Sequence, residues 1–189
     1  MLPCIGMKSA VFLERDGILN LCEQAGHQQV IPRRAEEFKI NPEARELLGR
    51  LKQAGFLLIV ATNQPWVVRG HMSRTDLELM HNQLRRHLPV DDILVCTHDD
   101  PSHPCHKPQA GLFLEASFKW GLDLDRSFVI SDKWPDARAA HIAGCTSVMV
   151  QSPWVGRDHH DFLVPDLKAG VEKILDLNAH LFRALSVAA

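Results

Sequence analysis

The chain has 189 residues, 46% of them hydrophobic, and a formal net charge of -2: material for one full hydrophobic core, and too little charge for a general affinity for nucleic acid or acidic lipid. No apolar stretch approaches the ~20 residues that span a bilayer. The N-terminal "MLPCIGMKSA" is too short and weakly basic for a secretion signal, so a cytoplasmic protein without membrane partners is expected. In chain order, short β-branched apolar runs stand at 10–13 (AVFL), 56–60 (FLLIV), 92–96 (DILVC), 127–131 (SFVIS) and 146–150 (TSVMV). Helix-like segments alternate with them. "NPEARELLGRLKQAG" carries Asn41 as N-cap, Pro42 in the first turn and Gly55 as stop, and "SRTDLELMHNQLRRHL" opens with Ser73 and Asp76 in capping spacing. "AGLFLEASFKWG" and "PDARAAHIAG" also end in glycine, and a last helix is expected at about 166–186.

Strands buried on both faces and alternating with helices predict an α/β fold: a doubly wound, Rossmann-like parallel sheet with helices on both faces, in a single domain over 1–189. Ligands on such sheets bind at the carboxyl ends of the strands. The first run is followed by Glu14 and Asp16, the second by Thr62 and Asn63, the third by a Cys/His loop and Lys107, and the fourth by Asp132, Lys133 and Asp136. An isolated acid at a strand end is ordinarily a turn former or a cap. Four successive strand ends carrying carboxylates, a hydroxyl and lysines instead suit phosphoryl transfer. A carboxylate attacks phosphorus, a divalent cation offsets the repulsion, a hydroxyl and an ammonium bind the equatorial oxygens, and a second carboxyl moves the proton. Oxygen donors from Asp132 and the end of the first strand suit Mg²⁺.

The loop "CTHDDPSHPCHKP" places Cys96 and His98, then His103 and Cys105, as two chelating pairs joined by a proline-containing turn. Thiolate and imidazole suit tetrahedral Zn²⁺, and four protein ligands make such a zinc structural; the plainer alternative is a polar loop with incidental histidines. The chain's five cysteines (Cys4, Cys22, Cys96, Cys105, Cys145), an odd number without a secretion signal, argue against a disulfide framework. His81, His87 and His141 fall in helical segments and His159 and His160 in a late loop, with no metal required.

The segments "FLERDG", "VATNQ", "CHKP" and "VISDKWPDARAA" resemble the four motifs of the haloacid dehalogenase (HAD) superfamily. Within it they resemble the histidinol-phosphate and heptose bisphosphate phosphatases that lack a large cap domain, over about residues 8–150. The resemblance implies that Glu14 holds the nucleophile position, where the family has aspartate, and that Asp16 is the general acid/base. It further implies that Thr62 and Lys107 hold the phosphate, that Asp132 binds Mg²⁺ with Glu14 and the carbonyl of Asp16, and that Asp136 orients the site. Substrate contacts are expected at Asn63, Lys133 and His106; the last stands where the family often has arginine, and imidazole is a weaker phosphate partner than guanidinium. The family's zinc loop falls at 96–106, with His103 where a cysteine is common. A monomeric, Mg²⁺-dependent phosphatase of a small sugar phosphate is therefore expected, slowed because the extra methylene of Glu14 displaces the carboxylate. The alternative is a catalytically inactive homologue, or active-site variant, that binds a phosphorylated ligand or a partner. Loops at 18–30, 64–72 and 97–106 would set specificity, with Leu19, Asn20 and Trp66 lining the site.

Overall fold

The computed structural model describes residues 8–26, 28–156 and 160–187, those from 181 onward as backbone only; Cys4 and His159 lie outside this set. Six strands form one parallel sheet: β1 (Ala10–Leu13), β4 (Leu57–Asn63), β5 (Asp92–Cys96), β6 (Phe128–Ser131), β7 (Thr146–Val150) and β8 (Phe162–Val164). Their order is β5-β4-β1-β6-β7-β8. The chain therefore winds outward from β1 in one direction and then, from β6, in the other. The reversal opens a crevice at the carboxyl ends of β1, β4 and β6, where the site must lie. β2 (Glu23–Ala25) and β3 (Gln28–Val30) form a separate antiparallel hairpin after β1.

Alternation along the strands feeds two cores. Val11, Leu13, Leu58, Val60, Ile130 and Val148 point to the face that includes residues of α1 (Ala44–Gln53), α2 (Arg74–His87) and α5 (Leu167–Val187). Ala10, Phe12, Ile59, Ala61 and Val129 point to the face covered by α3 (Gly111–Trp120) and α4 (Trp134–Ala143). All four residues of β1 are buried, as its uninterrupted apolar sequence requires.

The capping signals act locally. Ser73 Oγ accepts from the Asp76 N–H at 2.9 Å and its hydroxyl donates to the Asp76 carboxylate at 2.5 Å, closing the start of α2. Gly121 and Gly144 end α3 and α4 in the left-handed conformation. Asn41 differs from expectation: α1 begins at Ala44, and Asn41 Oδ1 instead accepts from the Glu43 N–H in the turn before the helix. Among the described residues no helix is long and apolar enough to cross a membrane.

Candidate active site

Beyond Leu13 the backbone follows the sheet for one more residue, with Glu14 N–H donating to Ile130 C=O at 3.0 Å, and then turns over the strand end. The turn closes through the N–H groups of Leu19 and Asn20, both donating to Arg15 C=O. Gly17 sits in it at φ +92°, and a Cβ there would overlap the Gln29 amide and the Asp132 carboxylate. That glycine lets β6 bring Asp132 against the turn.

Glu14 is buried and fully engaged. Its Oε1 accepts from the Arg15 N–H (2.8 Å), the Asp16 N–H (3.4 Å) and the Thr62 hydroxyl (2.5 Å), while Oε2 pairs with the Lys107 ammonium. Lys107 also donates to Ala61 C=O (2.7 Å) and to Asp136 (2.5 Å), so one buried cation lies between two carboxylates. Burial pushes the Glu14 carboxyl up, but Lys107, Lys133 and the Lys107 and Thr62 hydrogen bonds outweigh it and hold the group at about 2. Asp136 goes the other way, pushed up to about 6 by burial, with Lys107 opposing and the Glu14 charge adding to the rise. Asn63 braces the lysine from β4: its amide oxygen accepts from the Lys107 N–H and its amide nitrogen donates to the Lys107 C=O, both at 3.1 Å.

A second cation stands on the other side of Glu14. Lys133 Nζ donates to Asp132 Oδ1 and to the Asp16 carbonyl, each at 2.5 Å. Burial disfavours its charge, yet Asp132 and Glu14 raise its pKa above the ordinary value. The Asp132 carboxylate and the Asp16 carbonyl, with the Glu14 carboxylate near them, thus already hold a positive charge. An all-oxygen set of that kind fits Mg²⁺, with the ammonium as its stand-in. The Asp16 side chain faces away from this point. Its carboxylate accepts from Arg15 Nε (3.0 Å) and Nη2 (2.9 Å) and from Gln64 Nε2 (2.7 Å).

At the end of β5 and in the loop after it, the ligand atoms of Cys96, His103 and Cys105 lie within 4.8 Å of one another. His98 is not in that set; its ring stacks on His103 with centroids 3.6 Å apart. Cys96 and Cys105 are paired as a disulfide, Cα to Cα 5.6 Å, where two zinc-binding thiolates were expected. The convergence that suits two thiolates to one zinc also suits them to each other, and the two states are exclusive. The donor set fits zinc when the cysteines are reduced. His106 Nδ1 donates to His98 C=O at 2.7 Å, tying it to the loop.

The structure thus brings Glu14, Thr62, Lys107, Asp132, Lys133 and the Asp16 carbonyl together, with Asn63 and Asp136 supporting Lys107. Leu19 and Asn20, expected to line the site, are buried instead, because the turn folds them inward. Gln29, from the hairpin, donates to Asp132 Oδ2 at 3.1 Å; its short, polar, exposed strand gives no signal in the sequence. Arg15 and Gln64 were visible only as neighbours of motif residues.

Residues 104–169 match a family model described as HAD-hydrolase-like. The D-glycero-beta-D-manno-heptose-1,7-bisphosphate 7-phosphatase of Pseudomonas aeruginosa is 31% identical over 151 residues, covering 77% of this chain and 82% of the relative. A D-glycero-D-manno-heptose-1,7-bisphosphate 7-phosphatase from Thermosynechococcus vestitus is 29% identical, covering 88% and 95%. The crystal structure of the D,D-heptose 1,7-bisphosphate phosphatase of B. bronchiseptica, complexed with magnesium and phosphate, superposes with a TM-score of 0.76 at 26% identity, covering 89% of this chain and 99% of that one.

Proposed function

The chain belongs to the HAD-like family of the D-glycero-D-manno-heptose-1,7-bisphosphate 7-phosphatases, and from that premise we propose that it hydrolyses a small sugar phosphate by Mg²⁺-dependent covalent catalysis at Glu14. As a member it is a HAD-type phosphoric monoester hydrolase of the sugar-phosphate class. The observation that carries the finer proposal is the convergence of the Thr62 hydroxyl, the Lys107 ammonium and two main-chain N–H groups on the Glu14 carboxylate.

In the first half-reaction a Glu14 oxygen bonds to phosphorus and the bond to the ester oxygen breaks. The leaving oxygen takes its proton from Asp16, which must exchange its Gln64 contact for that oxygen. In the second, Asp16 removes a proton from water, the water oxygen bonds to phosphorus, and inorganic phosphate leaves with Glu14 restored. Thr62 and Lys107 hold the equatorial oxygens throughout. Asp132, Glu14 and the Asp16 carbonyl would hold Mg²⁺, which when bound offsets the repulsion between carboxylate and phosphate. Reduced Cys96 and Cys105 with His103, and His98 as fourth ligand, would hold a structural zinc beside Lys107.

Phosphate release from a panel of sugar phosphates with Mg²⁺ tests this. Turnover that is lost in Asp132→Ala supports it; turnover indifferent to Mg²⁺ or to Asp132 overturns it. One observation favours a second reading, a homologue that binds without turnover: the Glu14 carboxylate occupies the donors a phosphate needs. Binding of a sugar phosphate with no release from any member of the panel would establish that reading.

A further inference from the structure

Asp16 is held by its own neighbour in the chain. The Arg15 guanidinium donates from Nε to Asp16 Oδ1 at 3.0 Å and from Nη2 to Oδ2 at 2.9 Å, a two-pronged pairing between consecutive residues. Among the described residues Arg15 is the largest fully buried side chain, and Asp16 is its only ion-pair partner. The guanidinium lies against the Phe38 ring, 5.6 Å from its centre, and Nη1 has no hydrogen-bond partner. The main chain of the same residue is fixed as well. Arg15 N–H donates to Glu14 Oε1 at 2.8 Å, and Arg15 C=O accepts from Leu19 and Asn20. The cation that orients Asp16 is thus anchored in the turn that carries Glu14.

The third contact of Asp16 is of another kind. Gln64 Nε2 donates to Oδ2 at 2.7 Å and also to Thr62 Oγ1 at 3.0 Å, so the amide keeps an acceptor when it lets Oδ2 go. Gln64 is neutral, and its release strands no charge. Arg15 has neither property, because parting from Asp16 would leave a buried guanidinium unpaired. When Oδ2 turns to the ester oxygen, Gln64 is therefore the partner exchanged and Arg15 the partner retained.

We propose that Arg15 is a positioning residue for the acid/base steps: its guanidinium fixes the plane of the Asp16 carboxylate, while Gln64 yields Oδ2 to the leaving oxygen and later to water. This rests on the phosphatase reading for the role of Asp16. Arg15 itself, with no exposed surface, touches no substrate.

The test compares two esters, using the full chain with Mg²⁺ present. One is a sugar phosphate, whose alkoxide needs a proton to leave; the other is p-nitrophenyl phosphate, whose phenolate does not. Arg15→Lys keeps the charge and loses the two-pronged geometry. It should lower kcat for the sugar ester by about a hundredfold, the scale of a misplacement of about 1 Å, with KM within about twofold of the parent's. With p-nitrophenyl phosphate it should release about one phenolate per chain in a burst, then turn over about a hundredfold more slowly than the parent, because only the attack of water still needs Asp16. Gln64→Leu should cost less than about tenfold with either ester, the scale of one neutral hydrogen bond. Equal losses on both esters without a burst mark a merely structural role and overturn the proposal, as does a sugar-ester kcat that Arg15→Lys leaves intact. If that variant does not fold, Gln64→Leu decides: the burst and the hundredfold loss appearing there would make the glutamine the anchor and overturn the proposal, and the smaller loss supports it. A parent inert toward both esters brings down the phosphatase reading and the positioning role with it. A parent active on both, with no split between them in Arg15→Lys, brings down the positioning role alone.

Discussion

Glu14→Asp is the most direct perturbation of the site. In the resting structure the Glu14 carboxylate is bound by Thr62, Lys107 and the N–H groups of Arg15 and Asp16, with the three hydrogen bonds to Oε1 at 2.5 to 3.4 Å. Removing one methylene withdraws the carboxylate by up to ~1.5 Å, one carbon–carbon bond. That retreat lengthens the contacts with Thr62 and Lys107, which reach in from other elements, and frees those donors for a phosphoryl group. A misplacement near 1 Å changes rates by about a hundredfold, or ~2.7 kcal/mol of barrier. The shorter side chain should therefore raise kcat/KM for a sugar phosphate by about a hundredfold in a Mg²⁺-dependent phosphate-release assay. It should also tighten inhibition by inorganic phosphate. Glu14→Gln separates geometry from charge: it keeps the length, removes the nucleophile, and should be inactive without gaining the affinity that the aspartate gains. An aspartate variant slower than a measurably active parent would refute the reasoning, because the surrounding groups would then be fitted to glutamate.

Gly17→Ala should lower both stability and Mg²⁺-dependent turnover, since its Cβ would overlap Gln29 and Asp132 at a left-handed backbone position; a loss of about 1–3 kcal/mol in urea unfolding is expected. His81 is buried with Nε2 unpartnered, and burial, then Arg15 and Arg85, hold its pKa down at about 3. Its unfolded form takes up a proton below about 6.5, so its stabilising contribution is complete above that pH and falls by about 1.4 kcal/mol per unit toward pH 3. His81→Leu should remove this slope, and parallel stability curves from pH 7 to 5 would disprove it. Elemental analysis of protein purified under reducing conditions should find one zinc per chain, lost in Cys105→Ser. Zinc retained in that variant, or none in the parent, rules out the proposed ligand set.

The sheet is legible because its strands are buried on both faces and so spell uninterrupted apolar runs, as β1 and β6 do. The capping of α2 is legible because Ser73 and Asp76 interact within one turn. The hairpin of β2 and β3 is not, since exposed polar strands three residues long carry no periodic signal. Nor is β8, a short edge strand. Residue types at the site were readable from strand ends, but partners were not. Gln29 meets Asp132 across 103 residues, and Lys133 meets the Asp16 carbonyl across 117. The sequence placed Lys133 against substrate, a contact that requires the ammonium to leave the two oxygens it now bridges.

The charge balance of the site says when that departure should happen. Glu14, Asp16, Asp132 and Asp136 face Arg15, Lys107 and Lys133, so four carboxylates against three cations leave one formal negative charge when all are ionised. A phosphate dianion would bring this to -3 in a buried crevice, and a divalent cation would return it to -1. At the proposed metal site Mg²⁺ would compete with Lys133 for Asp132 Oδ1 and the Asp16 carbonyl, so metal binding would release the ammonium toward the incoming phosphate ester. Lys133→Met should therefore do two opposite things. Removing the competing ammonium should tighten Mg²⁺ binding to the free protein in a calorimetric titration, while loss of the released cation should raise KM for the ester. A purely structural role for Lys133 would weaken both. Mg²⁺ affinity unchanged or reduced in the variant would show that metal and ammonium do not share these oxygens.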